Sequence, residues 1–105
     1  MTDGPTISTH VLDVENGRPA AGVNVYLYRV DREERKVGSG ITDDDGRVQR
    51  LLGGDLEPGD YELRFDLGGR FFLGAAFAFR VADTSRSYHV PLLLGAYSLT
   101  TYRGS

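Results

Sequence analysis

The chain has 105 residues, a formal net charge of -3 and no cysteine. A chain of that length builds one domain around a single small core, so 1–105 is expected to be one unit, with any sizeable site on its surface or between copies. The missing cysteines exclude a disulfide framework, a thiolate nucleophile and a thiolate metal site. The acidic balance argues against a sequence-blind nucleic-acid binder, which needs a basic face to displace counterions. No apolar run approaches the ~20 residues of a membrane-spanning helix. The opening MTDGPTISTH has neither a basic cap nor an apolar core, so it does not read as a secretion signal and a cytoplasmic location is expected.

Asn16-Gly17, Asp45-Gly46, Gly53-Gly54, Pro58-Gly59 and Gly68-Gly69 cut the chain into pieces too short for ordinary helices. A first strand is expected from Ile7 to Val14. In GVNVYLYRV, the residues Val23, Val25 and Leu27 share one face. RVDREERK, Arg29 to Lys36, has mixed charge and reads as a solvated hairpin turn. Strands follow from Lys36 to Thr42 and from Arg47 to Leu52. YELRFDL sets Tyr61, Leu63, Phe65 and Leu67 on one face and Glu62, Arg64 and Asp66 on the other, and AAFAFRV repeats the pattern with Phe77, Phe79 and Val81. Further strands are expected from Tyr88 to Leu94, where Pro91 implies a bulge or a missing ladder bond, and from Ala96 to Tyr102. Seven or eight short strands predict an all-β, two-sheet antiparallel sandwich.

Few residues are equipped for chemistry. The two histidines, His10 in STHV and His89 in SYHV, each lie inside a predicted strand beside hydroxyl residues, and imidazole exchanges protons near neutral pH without special tuning. Arg47 closes the turn TDDDGR, and Arg103 stands two residues from the last residue; each is either a solvated cation or an anion-binding fork. There is no Gly-x-Ser-x-Gly elbow, phosphate loop or paired-histidine zinc motif. Asp43-Asp44-Asp45 lacks the spacing of a calcium loop and reads as turn chemistry.

The middle of the chain, GRPAAGVNVYLYRV through LEPGDYELRF, resembles many prealbumin-like sandwich domains that only bind or brace. ISTHVLDVENGRPAAGV together with YHVPLLL and the final YRGS is more specific: it resembles the 5-hydroxyisourate hydrolase family, the transthyretin-related proteins of purine catabolism. That resemblance spans nearly the whole chain. It implies a prealbumin-like sandwich and a homotetramer with sites between dimers. It further implies hydrolysis of 5-hydroxyisourate to 2-oxo-4-hydroxy-4-carboxy-5-ureidoimidazoline with neither metal nor organic cofactor. Carried over by motif, the catalytic set is His10, Arg47 and His89, and the substrate-binding set is Tyr102, Arg103, Gly104 and Ser105, with the chain ending inside the active site. The alternatives are a non-catalytic small-molecule carrier of the transthyretin type and a prealbumin-like binding module.

The chain departs from the family pattern in three places. Ser87 stands where the family commonly has a further histidine, and Leu99 where it commonly has a tyrosine. Only GGRFFLG separates YELRFDL from AFAFRV, so the family's short helix is expected to be reduced or absent.

Overall fold

The computed structural model describes residues 4–104. Ten strands form two sheets: β1 (Ile7–Asp13), β2 (Arg18–Pro19), β3 (Asn24–Arg29), β4 (Arg35–Ile41), β5 (Arg47–Val48), β6 (Gly59–Asp66), β7 (Gly74–Val81), β8 (Tyr88–His89), β9 (Leu92–Leu94) and β10 (Leu99–Thr101). One sheet runs β4-β3-β6-β7. In the other, the order β10-β9-β1-β2 is extended by β5 and β8, which both pair with β1. The described residues contain no helix. Gly68, at φ 58°, turns the chain so that the N–H groups of Leu67 and Gly68 both donate to Leu73 O, and a tight hairpin occupies the GGRFFLG segment.

The four-stranded sheet follows directly from alternation. Along β6, Tyr61, Leu63 and Phe65 are buried, and they meet Val25 and Leu27 from β3 and Val81 from β7. The facing sheet contributes Ile7, Val11, Tyr88, Val90 and Leu92, closing one core between two layers.

The second sheet differs from the sequence expectation in two ways. First, β1 pairs parallel with both β8 and β9, whereas the other pairings are antiparallel. The chain leaves β1, passes through the other sheet and re-enters beside β1 in the same direction. Second, three predicted strands are shorter. The segment expected from Arg47 to Leu52 keeps only β5 and an isolated bridge between Gly38 and Leu52. Pro91, which has no N–H, separates β8 from β9, and the turn closed by Gly95 N–H donating to Ser98 O removes Ala96 and Tyr97 from β10.

Candidate active site

The site is built by register. In β1, Ile7, Thr9 and Val11 are buried in the core, so Ser8 and His10 point to the outer face of the sheet. On one side, His10 stands directly opposite Arg47 of β5; on the other, Ser8 stands directly opposite His89 of β8. Residues opposite one another across a ladder share a face. His89 is in turn bridged to Gly104, whose N–H donates to His89 O at 2.7 Å. Arg47, His10, His89 and Gly104 therefore lie side by side on one outward face.

Both imidazoles are held by short-range chemistry. The His10 Nε2 lies 2.8 Å from the carbonyl oxygen of Asp45. A carbonyl only accepts, so Nε2 carries the hydrogen and Nδ1 holds the lone pair of the neutral ring. The turn that presents this carbonyl explains the acidic run: Asp43 Oδ1 accepts from the N–H groups of Asp45 and Arg47, both at 2.9 Å. Gly46 adopts φ 78°, and its carbonyl accepts Val11 N–H at 2.7 Å, which ties the turn to β1. His89 Nδ1 is 2.8 Å from Ser8 Oγ. Burial, and after it the positive charge of Arg47 and the proximity of His10, hold the His89 imidazole below the ordinary histidine value of 6.5. That environment favours the neutral ring of His89.

The remaining sequence-predicted residues divide. Gly104 packs against His89: a Cβ there would sit 2.6 Å from His89 Cδ2. Arg103 does not join the cluster. Its guanidinium carbon lies 4.4 Å from the centroid of the Tyr88 ring, whose residue is buried on the core side of the sheet. Tyr102 is 52% exposed. Ser105 lies outside the described residues. Sequence reading missed Ser8 as the partner of His89; the period of two gives its face, but its partner depends on the parallel pairing of β1 and β8. It also missed the Asp45 backbone carbonyl, which no side-chain pattern reveals. Ser87 has a structural task, its hydroxyl accepting Thr6 N–H at 3.0 Å. Leu99 packs partly buried against the core. Among the described residues, no three His, Asp or Glu side chains converge as metal ligands would.

Residues 7–104 match the model of the HIUase/Transthyretin family. The chain belongs to that family. A 5-hydroxyisourate hydrolase of Deinococcus radiodurans is 43% identical over 119 aligned positions that cover 100% of both chains. Because this chain has 105 residues, that family member carries residues that this one lacks. The solved structure of Klebsiella pneumoniae 5-hydroxyisourate hydrolase superposes with a TM-score of 0.86 at 31% identity, covering 96% of this chain and 99% of that one. Sea bream transthyretin in complex with thyroxine superposes with a TM-score of 0.84, covering 93% of each chain, but at 24% identity that likeness concerns the family fold alone.

Proposed function

We propose that the protein hydrolyses 5-hydroxyisourate to 2-oxo-4-hydroxy-4-carboxy-5-ureidoimidazoline, with His10, Arg47 and His89 as the catalytic group. The observation that carries this reading is the placement of two imidazoles and a guanidinium on one sheet face by strand register, in a chain akin over its whole length to 5-hydroxyisourate hydrolases.

The chemistry suits those groups. Water adds to a ring carbonyl, the adjacent C–N bond breaks, and the departing nitrogen takes a proton. His10, its tautomer fixed by Asp45 O, accepts the water proton at Nδ1, and the same carbonyl stabilises the imidazolium that forms. His89, whose neutral ring is favoured, orients the water and relays the proton to the nitrogen. Arg47, at the edge of the cluster, pairs with the substrate's oxygens and with the negative charge that develops on the attacked carbonyl.

The proposal includes a homotetramer in which a second copy closes the site at the dimer–dimer interface. Two features support assembly: among the described residues β7 and β10 end their sheets without a further partner strand, and Phe71, Leu73, Tyr97 and Tyr102 are exposed. Light scattering is expected to give the mass of four chains.

The decisive experiment generates 5-hydroxyisourate in the cuvette with urate oxidase and follows its ultraviolet decay. The protein is expected to accelerate that decay, and His10→Ala and Arg47→Ala are each expected to lose at least about 100-fold, the ordinary scale for a positioned acid–base group or an electrostatic donor. Wild-type rates in both variants would end the assignment.

A further inference from the structure

Arg103 is expected from its motif to grip the substrate, yet its guanidinium is engaged elsewhere. Side chains alternate along an extended segment, and the Cβ direction of Gly104 points at the His89 ring, so the Arg103 side chain leaves toward the other face. There it covers Tyr88, with the guanidinium carbon 4.4 Å from the ring centroid. Tyr88 is a fixed platform. It is only 5% exposed, its N–H donates to Thr6 O at 2.8 Å, and its hydroxyl accepts Asp83 N–H at 3.1 Å. The stacked pair lines a mostly apolar groove of about 190 Å³ together with Phe77 and Phe79, on the side of the sheet away from the histidines.

We propose that Arg103 is a positioning residue: stacked on Tyr88, its guanidinium latches the Tyr102–Gly104 segment to the sheet, so that Gly104 lies flat against the His89 ring. Adjacent residues thus have complementary tasks. Arg103 anchors the segment through a planar cation on an aromatic face, and Gly104 presents a bare α-carbon to the imidazole on the other face. The catalytic consequence rests on the function proposed above; the latch itself does not.

The test is therefore read first on the free protein, by hydrogen exchange of the Gly104 amide, whose bond to His89 O the latch protects. Arg103→Gln removes the stacked cation from an exposed position and is expected to speed Gly104 exchange about fivefold, the size of a half-exposed cation–π contact. The Leu63 amide, in the core strand β6, is expected to exchange at its original rate, which separates loss of the latch from loss of the fold. Tyr88→Leu is expected to reproduce the effect and Tyr88→Phe, which keeps the aromatic face, is not. In turnover, Arg103→Gln is expected to lower kcat and leave KM nearly unchanged. Unchanged Gly104 exchange in Arg103→Gln would overturn the proposal, as would a Tyr88→Phe variant as loosened as Arg103→Gln. If Tyr88→Leu fails to fold, Arg103→Gln and Tyr88→Phe decide alone. A protein inactive on 5-hydroxyisourate would refute the functional reading and leave the exchange result to judge the latch.

Discussion

Replacing Gly104 by alanine adds one methyl group at the most crowded point of the cluster. That methyl would stand 2.6 Å from His89 Cδ2 and 3.3 Å from both His89 Cγ and its backbone oxygen. Carbon atoms pack comfortably at about 3.5–4.0 Å, so roughly 1 Å of overlap must be relieved. The backbone is not the obstacle, because the positive-φ glycines are Gly17, Gly22, Gly46, Gly59 and Gly68, and Gly104 is not one of them. Relief has two routes. Either the imidazole swings away from Ser8 Oγ, 2.8 Å from its Nδ1, or the segment withdraws and lengthens the 2.7 Å bond from Gly104 N–H to His89 O. The first displaces the imidazole itself and the second removes the segment packed against it; a misplacement of about 1 Å costs on the order of 100-fold in rate, or about 2.7 kcal/mol of barrier. Steady-state hydrolysis with in-cuvette substrate reads kcat, and thermal melting monitors the fold. We expect kcat to fall about 100-fold with the melting temperature nearly unchanged, since the clash lies on an outer face. A Gly104→Ala enzyme with wild-type kcat would refute the claim that this glycine exists to make room for the ring.

Ser8→Ala removes the hydroxyl that holds His89 Nδ1 and should lower kcat about fivefold, the scale of one side-chain hydrogen bond of roughly 1 kcal/mol, with binding of a substrate analogue retained. The depressed His89 value makes a signed prediction about pH. The native state binds this proton less readily than the unfolded chain, so the associated stability is complete above the ordinary value of 6.5 and is lost as pH falls through the lower native value. In Arg47→Gln one of the depressing charges is gone, and the His89 midpoint, followed by NMR of its ring protons, should move upward toward 6.5. A midpoint that stays put or falls would show that Arg47 does not act on His89.

The parts of the fold legible in the sequence were those governed by period. YELRFDL, GVNVYLYRV and AAFAFRV alternate cleanly because their strands have one face on the core, and they form β6, β3 and β7 at nearly the expected bounds. Direction was not legible: nothing in the composition of YHVPLLL distinguishes parallel from antiparallel pairing with STHVLD, because both present the same alternation. The site divides in the same way. Histidine and arginine draw attention as residue types, and their strand positions fix their faces. Their convergence, however, rests on β1 lying between β5 and β8, a property of topology. Arg103 shows the limit of reading by motif, since adjacency to Gly104 in sequence means opposite faces in space.

The likeness to transthyretin sharpens what decides function here. The two-sheet frame is shared with a protein solved in complex with thyroxine, so the frame cannot be what makes a hydrolase. The outer face of the β5-β1-β8 strip is where a difference can be written cheaply. Ser8 and His10 project outward from a strand whose inward residues are Ile7, Thr9 and Val11, and the outward positions can change without disturbing the core. Under the proposed mechanism one ring needs a fixed tautomer, which Asp45 O supplies, and the other a lowered proton affinity, to which burial and then Arg47 contribute. Those conditions are set by backbone geometry and by a cation on a neighbouring strand. A transthyretin-like frame given the two histidines without the Asp43–Arg47 turn would therefore present one imidazole of undefined tautomer and another whose basicity burial alone lowers, and is expected to hydrolyse poorly.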